Sequence, residues 1–284
     1  MKNKKRKIEV LVLSDVHLGT YGCHARELLR YLKSINPKIV VLNGDIVDIW
    51  QFSKRYWPKS HMKVVKHLMG WISKGKKTYY VTGNHDEMLR RFTGLKVGSF
   101  SIVNKLVLDL KDDTKAWIFH GDVFDITMQH SKWLTKLGAI GYDMLILLNR
   151  FVNFISGKVF RRGKISLSKK IKNSVKSAVK FINNFEQTSA DIGISNNYQY
   201  VVCGHIHQPE IREISNDDGS IIYLNSGDWV ENLSALEYND GQWTIYRYEE
   251  SFADKVLNKL EEETDPTSNE LFASLLNEFQ MMKQ

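Results

Sequence analysis

Cysteine is scarce in this chain of 284 residues, which contains only Cys23 and Cys203. Two cysteines cannot build the disulfide framework of a small secreted scaffold, and a chain of this length buries an ample core without one. Cys203 ends a predicted buried strand, where we expect a small core residue. The scarcity favours a reducing compartment, so we predict a cytoplasmic protein.

Long apolar runs are also missing. The best candidate, residues 142–160, is interrupted by polar residues, so it falls short of the roughly 20 apolar residues that a membrane-spanning helix requires. The basic stretch 1–7 runs straight into a strand pattern without a small-residue cleavage site, and we therefore predict no signal peptide. Internal repeats and low-complexity linkers are absent from the sequence as well. One catalytic domain with an insertion and a tail is the natural division.

Acidic residues are nearly absent between Gln129 and Phe185, where twelve lysines and arginines accompany a single acid, Asp143. Because the whole chain carries a formal net charge of +8, the remainder is slightly acidic. Apolar residues recur here at helical spacing, which predicts a helical cap at 129–187 inserted into a catalytic domain formed by 1–128 and 188–250. A basic amphipathic helix is typical of a membrane-surface element, although a solvated basic face is the plainer alternative. The aromatic residues lie at core spacing rather than as a stacking platform, which makes nucleic acid an unfavoured partner.

The segment 251–284 is predicted to be an acidic C-terminal tail. Its acids cluster at 261–265, and Pro266 interrupts the cluster. Leucines and a phenylalanine in 269–281 predict a short amphipathic helix, which would dock on the body, pair with a second subunit or remain mobile. The sequence leaves the oligomeric state open.

Five short islands of polar residues each follow an apolar run. They are Asp15-Val16-His17, Gly44-Asp45, Gly83-Asn84-His85-Asp86, His120-Gly121-Asp122 and Gly204-His205-Ile206-His207. An island at the end of a buried strand lies where an open α/β sheet presents its binding crevice. One such island is weak evidence for a metal site, because Asn and Asp also favour turns. Five islands in series are much stronger evidence. Carboxylates, imidazoles and an amide suit two divalent ions such as Mn, Fe or Zn, and the absence of thiolates argues against a structural zinc cluster.

Periodicity gives a coarse secondary structure. Helices are predicted at 24–34, ended by Pro37, and at 60–74; strands are predicted at 8–14, 39–43, 77–82, 101–109, 115–119, 199–203, 221–225, 233–238 and 242–248. The chain thus opens with βαβ units and closes with an antiparallel meander. Two sheets face to face, with helices outside, satisfy both halves.

The series of islands resembles the signature of the calcineurin-like metallophosphoesterase superfamily, D-x-H, G-D, G-N-H-D, H-G-D and G-H-x-H, over about residues 8–250. The resemblance implies an α/β four-layer αββα sandwich with the helical cap inserted. It implies two divalent ions, for which we predict manganese with iron and zinc as alternatives. The implied ligands are Asp15, His17 and His207 for one ion, Asn84, His120 and His205 for the other, and Asp45 bridging both. His85 is implied to contact the substrate phosphate, and Asp86 to orient the His85 imidazole.

Within that superfamily the chain is similar to the UDP-2,3-diacylglucosamine pyrophosphohydrolases of lipid A synthesis, which are peripheral membrane enzymes. The matching residues are Ser14 to Leu18, Gly44-Asp45 with Asp48 and Trp50, His120 to Asp122, and Gly204 to Pro209. This implies release of UMP and a lipid monophosphate from a phosphorylated lipid substrate at the inner face of the cell membrane.

One departure concerns His85, because well-known members of that branch have arginine there. Arginine is a permanent cation, whereas histidine can also donate a proton to a leaving alkoxide. Phosphomonoesterases, phosphodiesterases and nucleases of the superfamily therefore remain alternatives. A non-catalytic scaffold with the same fold is a third.

Overall fold

The computed structural model describes residues 5–49, 57–124, 182 and 184–249. Residues Met1–Gly121 and Ser189–Gln284 make up one compact unit, and Asp122–Thr188 make up a second. The predicted cap at 129–187 lies outside the described residues except for 182 and 184–187, and the predicted tail lies wholly outside them, so both stay predictions. Among the described residues, no helix is long and apolar enough to cross a membrane.

The larger sheet of the first unit is built mainly from the N-terminal part of the chain. Its strands are β1 (Arg6–Leu13), β2 (Ile35–Asn43), β3 (Lys77–Val81), β4 (Lys96–Val97), β5 (Phe100–Val103), β11 (Ser234–Asn239) and β12 (Gln242–Arg247). Their order across the sheet is β12-β11-β1-β2-β3-β5-β4. The strands β1, β2, β3 and β5 run parallel to one another, so their carboxyl ends lie at one edge of the sheet.

The smaller sheet supplies the second half of the architecture. Its strands are β6 (Lys105–Asp109), β7 (Lys115–Phe119), β8 (Tyr200–Cys203), β9 (Glu210–Asn216) and β10 (Gly219–Asn225), in the order β6-β7-β8-β10-β9. The central strand β8 is parallel to both β7 and β10. The carboxyl ends of β7 and β8 therefore also lie together.

Two apolar cores hold the layers together. Between the sheets, β-branched residues such as Val12, Val41 and Val202 pack in one buried cluster. On the opposite face of the larger sheet, helices α1 (Ala25–Ser34) and α2 (Lys59–Ser73) bury one stripe each into a second cluster. This pattern follows from the sequence, because a strand covered on both faces is apolar along its whole length.

The outer face of the smaller sheet is covered by helical residues 189–195 of the first unit. Ala190 and Ile194 are buried there, and a side chain at Gly193 would collide with Ile221 of β10. The described layers are thus helix, sheet, sheet, helix, and the predicted α/β class is confirmed. Of the second unit, the described residues include Phe124 and Phe185, whose rings pack edge to face at 5.6 Å.

Several predicted element boundaries were wrong. The strand predicted at 101–109 is broken at Asn104 into β5 and β6, which belong to different sheets. The strands β9 and β4 were not predicted, and the parallel pairing of β8 with β10 replaces part of the expected meander. Pro37 lies inside β2 rather than closing α1. The strand β2 pairs with its second neighbour, β3, only from Ile39 onward. Proline is tolerated before that point because it lies in a part of β2 that is still at the edge of the sheet.

Candidate metal centre

All five polar islands directly follow strand ends. Those after β1, β2 and β3 leave the larger sheet, and those after β7 and β8 leave the smaller one. Backbone hydrogen bonds join neighbouring loops: the N–H of Asp15 donates to the carbonyl of Gly44 at 3.1 Å, and the N–H of Gly204 donates to the carbonyl of His120 at 2.9 Å. Because parallel strands end at the same edge, the polar side chains of both sheets converge in one crevice.

The backbone of this crevice is strained where the candidate ligands stand. Asp15, His17, Asp45, His205 and His207 all have φ between 52° and 64°. Only a few per cent of residues other than glycine adopt this left-handed conformation, and such strain concentrates at functional sites. All five residues contribute donor atoms to groups whose members lie within 4.8 Å of one another.

Close packing explains two glycines of the islands. A side chain at Gly83 would collide with the carboxylate and backbone of Asp45, and one at Gly204 would collide with the carboxylate of Asp15. The islands therefore need glycine at these positions because the neighbouring loop carries a carboxylate that approaches the backbone.

The first cluster consists of Asp15, His17 and His207, whose donor atoms all lie within 4.8 Å of one another. Oδ1 of Asp15 is 3.1 Å from Nε2 of His207. Among the described residues, the buried His17 Nε2 has no hydrogen-bond partner, whereas the buried Asp15 Oδ1 has its contact with His207. Buried polar atoms are normally paired, so a partnerless imidazole nitrogen beside a buried carboxylate suits a cation.

The second cluster consists of Asp45, His120 and His205, again with donor atoms within 4.8 Å of one another. Nδ1 of His120 lies 2.8 Å from the carbonyl oxygen of Asn43, which can only accept, so Nδ1 carries the proton and Nε2 carries the lone pair. That Nε2 is 3.3 Å from Asn84 Oδ1 and 3.3 Å from Asp45 Oδ2. Such an anchor through the other ring nitrogen is typical of metal-binding histidines.

Electrostatics keep the two carboxylates ionised. Burial raises the pKa of Asp15, but the nearby imidazoles of His207 and His120 more than offset it and lower that pKa to about 2. The pKa of Asp45 is also lowered, because His120, His17 and His85 outweigh the effect of burial. Burial lowers the pKa of His207, but Asp15 reverses this and raises it to about 9. The crevice thus presents buried negative charge that attracts cations.

The carboxylate that orients His85 is not the predicted one. Nδ1 of His85 lies 2.8 Å from Oδ2 of Asp48, a fully buried carboxylate. Asp86 instead accepts hydrogen bonds from the Tyr80 hydroxyl at 2.6 Å and from the backbone of Gly83 at 2.7 Å and Ile46 at 3.0 Å. The predicted contact between Asp86 and His85 is therefore wrong: Asp86 fixes the loop, and Asp48 holds the imidazole.

Asp48 also approaches the first cluster, because its Oδ2 is 3.5 Å from Nδ1 of His17. One carboxylate thus faces two imidazoles whose rings stand edge to face at 4.7 Å. The sequence signal was present, since Asp48 follows Asp45 by three residues on the same loop. Sequence reasoning used Asp48 only as a motif match and gave it no role.

A second carboxylate missed from the sequence is Asp228, which is fully buried. Its Oδ1 accepts backbone hydrogen bonds from Val230 at 2.7 Å and Asn232 at 3.1 Å, and Oδ2 accepts from the Asn232 amide at 2.7 Å. That amide also donates to the carbonyl of His207 at 2.8 Å, and Asp228 Oδ2 is 3.8 Å from His207 Nδ1. The turn after β10 therefore supports the loop that carries His207.

Comparison with known proteins agrees with this geometry. Residues 8–209 match the family of calcineurin-like phosphoesterases, so the chain belongs to that family. It is a metal-dependent phosphoester hydrolase, as predicted, and its fold and superfamily were predicted correctly.

Several relatives share a more particular name. The UDP-2,3-diacylglucosamine hydrolase of Blochmanniella pennsylvanica is 25% identical over 240 residues, which cover 82% of this chain and 93% of that protein. The UDP-2,3-diacylglucosamine hydrolase of Aliivibrio fischeri is 23% identical over 253 residues, covering 84% and 98%. A solved phosphoesterase from E. coli aligns with a TM-score of 0.41 and 13% identity, covering 84% of this chain and 99% of that one.

Proposed function

We propose that the crevice holds two divalent ions and hydrolyses a phosphoric anhydride in a lipid-linked substrate. The observation that carries this is the pair of donor clusters, with the partnerless buried His17 Nε2 in the first. One ion would be held by Asp15, His17 and His207, the other by Asn84, His120 and His205, and Asp45 would bridge both. Manganese suits this nitrogen and oxygen set, with iron and zinc as alternatives.

The ions, when bound, supply positive charge that acidifies a water and stabilises the phosphoryl oxygens. The chain's own residues do the rest. Asp48 accepts a hydrogen bond from His85 Nδ1, so the opposite ring nitrogen of His85 is available for a substrate phosphate. Hydrogen bonds of Asp86 and Asn232, the latter also bound to Asp228, hold the strained loops in place. The site therefore does not have to reorganise during the reaction.

The proposed substrate is UDP-2,3-diacylglucosamine, cleaved to UMP and a lipid monophosphate in lipid A synthesis. Relatives with the name UDP-2,3-diacylglucosamine hydrolase, matched over more than nine tenths of their length, support this choice. A phosphate is a good leaving group that needs little protonation, so an oriented His85 can serve through its charge where the branch has arginine.

The predicted domain division serves the same substrate. Residues 1–128 and 188–250 would form the catalytic body, and the basic, apolar segment 129–187 would form a lid that selects acylated substrates. Its composition suits contact with an anionic membrane surface, which would place the enzyme at the inner face of the cell membrane.

A second candidate is hydrolysis of a phosphomonoester or phosphodiester. The specific observation in its favour is His85, which can give a proton to a leaving alkoxide in a way that arginine cannot. Both candidates use the same ions and differ only in the leaving group.

A turnover panel with manganese separates them. The substrates are a UDP-diacylated sugar, p-nitrophenyl phosphate, bis-p-nitrophenyl phosphate and cyclic nucleotides. We expect UMP release from the first to exceed all other rates, and to be lost when 129–187 is deleted while bis-p-nitrophenyl phosphate is still cleaved. Cleavage of the simple esters without UMP release would reject the lipid substrate in favour of the second candidate.

A further inference from the structure

The surface formed by α1, α2 and the turn after α2 is strongly basic. Residues 25–34 and 57–77 contain nine lysines and arginines and one acid, Glu27. Glu27 already has a basic neighbour, because its Oε2 is 3.7 Å from Nδ1 of His24. The two helices lie side by side, so their basic residues form one surface on the outer layer of the molecule. These residues are Arg26, Arg30, Lys33, Lys59, Lys63, Lys66, Lys74, Lys76 and Lys77.

Positive charges crowd one another on this surface. Burial and the charges of Lys5, Lys33 and Lys74 act together to lower the pKa of His67 on α2 to about 4. The pKa of Lys76 is lowered in the same way, by burial and then by Lys5 and Lys74. Burial is the first cause of both shifts and the neighbouring lysines add to it, so a negatively charged partner is favoured on this surface.

Helix α2 also has apolar side chains that are not fully buried. The positions of α2 that face the sheet, His61, Val64, Leu68 and Trp71, are buried. One residue further along, Met62, Val65, Met69 and Ile72 repeat at the same three- and four-residue spacing and are only half-buried. A half-buried apolar stripe bordered by lysines fits an amphipathic helix with acids along its edges.

The last described residues before the tail lie beside this surface. After β12, Tyr248 packs against the cluster beneath the helices, and its hydroxyl accepts a hydrogen bond from Arg30 of α1 at 3.4 Å. Its N–H donates to the carbonyl of Leu233 at 2.9 Å, next to the Ser234–Arg247 pair that begins the β11–β12 ladder. The residues that follow 249 therefore start next to α1.

We propose that the C-terminal tail, residues 251–284, docks on the basic surface of α1 and α2. The tail has seven acids and three lysines, so its charge is opposite to that of the surface. Leu271, Leu275 and Phe279 form an apolar stripe, with Glu270 and Glu278 beside it. This stripe covers Met62 and Met69, while the two glutamates face Lys63 and Lys66.

The segment before the predicted tail helix is long enough to reach from β12 to α2. The helix α2 connects β2 to β3, and β2 is the third strand from β12, a distance of about 14 Å at the usual strand spacing of roughly 4.8 Å. Extended chain spans about 3.3 Å per residue, so five residues cover this distance. The residues 250–268 provide several times that length before the predicted helix begins.

Lysine acetylation footprinting of the full chain tests this docking. We compare the modification rates of Lys63 and Lys66 in the full chain and in a chain ending at residue 250. A tail docked four fifths of the time leaves the lysines accessible for the remaining fifth, so deletion should raise their rates about five-fold. Lys96 and Lys105, exposed on β4 and β6, are the internal controls and should not change. Unchanged rates at Lys63 and Lys66 would overturn the proposal.

A charge swap in the full chain avoids reliance on the truncated protein. The variant Glu270→Lys with Glu278→Lys should expose the α2 lysines as deletion does. Adding Lys63→Glu and Lys66→Glu should restore slow modification at Lys59, whereas adding Lys96→Glu and Lys105→Glu, with the same charge change, should not. Carbodiimide cross-links between the tail and α2 should appear in the monomer.

A second copy of the chain or a membrane on the basic surface would give different results in these experiments. Cross-links found only in a dimer would assign the tail to a second copy of the chain. Protection of Lys63 and Lys66 only on addition of vesicles of equal phosphatidylglycerol and phosphatidylcholine would assign the surface to a membrane. Either result would overturn the docking of the tail.

Discussion

At the scale of single residues, the site combines ionised carboxylates with imidazoles whose protons are fixed by their neighbours. Asn43 holds the proton of His120 on Nδ1, and Asp48 does the same for His85. The other ring nitrogen of His120 then lies beside Asn84 and Asp45. The left-handed backbone of residues such as Asp15 and Asp45 costs on the order of 1 kcal/mol each, and the surrounding hydrogen bonds sustain it.

Asp45 is predicted to be the least replaceable ligand. Its two oxygens meet the backbone N–H of His85 at 2.8 Å and Nε2 of His120 at 3.3 Å. An anion between two cations offsets their repulsion, so Asp45→Ala should lose at least one ion per chain, measured by elemental analysis after dialysis. Asp109→Ala, a change of the same kind at an exposed aspartate of β6, is the control and should keep full metal content. Equal metal content in both variants would contradict the bridging role.

Substitutions of Asp48 and Asp86 should have different effects. Asp48→Asn leaves His85 without its carboxylate, and loss of such an orienting partner typically lowers kcat about 10- to 100-fold. Because Asp48 also faces the proposed ligand His17, its loss should weaken metal binding as well, and the rates are therefore compared at saturating manganese. Asp86→Asn removes a charged acceptor from the N–H groups of Gly83 and Ile46, so it should mainly lower the melting temperature.

The double variant Asp48→Asn with His85→Ala completes this test. If Asp48 acts through His85, the double variant should be no slower than His85→Ala alone, for which we expect a loss of about 10²- to 10⁴-fold in kcat. Additive losses, or loss of metal from His85→Ala, would show that the pair has been assigned wrongly.

The sequence predicted which residue types meet in the crevice but not all of their contacts. Asp86 is adjacent to His85 along the chain, which made it the natural partner. The loop turns between them, however, and sends the Asp86 carboxylate back to Tyr80 of β3. Asp48 and Asp228 could be assigned only from the fold, because their partners lie on other loops.

At the scale of elements, the candidate metal ligands lie where strands end, and the apolar runs of the sequence determine where the strands end. The runs before Asp15, Asp45 and His205 are apolar and β-branched, so these strands were predicted within one or two residues apart from the early start of β2. The edge strand β9 escaped prediction because it is mostly exposed and carries alternating charge, which is also typical of a loop. The break at Asn104 escaped because the residues on both sides favour strands.

Helix α2 also supports the loop that follows His17, and this support should depend on pH. Nδ1 of the buried His61 accepts the N–H of Gly19 at 2.9 Å, and burial lowers the pKa of His61 to about 4. The unfolded chain, with a histidine pKa near 6.5, binds the proton more readily. This contribution is therefore present above about pH 6.5 and lost as pH falls toward 4, by up to about 3 kcal/mol.

The variant His61→Asn isolates that contribution. Its side-chain oxygen can accept the same N–H but does not titrate in this range. The melting temperature should therefore fall less between pH 7 and pH 5 in His61→Asn than in the unchanged chain, as measured by scanning calorimetry. Because all other titrating groups are common to both proteins, parallel curves would show that His61 does not carry the dependence.

At the scale of the whole catalytic unit, the two sheets contribute different halves of one site. Asp15, His17 and Asp45 stand on the larger sheet, and His120 and His205 stand on the smaller one. The valine-rich core between the sheets sets their separation, so it also sets whether the two donor clusters meet. Local sequence patterns identified the strands, but the register between the two sheets depends on contacts far apart in the chain.

Metal binding should therefore stabilise the packing of one sheet on the other. Each cluster takes donors from both sheets: Asp15 and His17 join His207, and Asp45 joins His120 and His205. The unfolded chain holds no such arrangement, so manganese at a hundred times its dissociation constant should add about 2.7 kcal/mol, and the melting temperature should rise by roughly 5 °C or more. Calorimetry of protein freed of metal, then titrated with manganese, measures this rise. The rise should shrink in Asp45→Ala and persist in Asp109→Ala; an equal rise in both would mean that manganese binds away from the junction of the sheets.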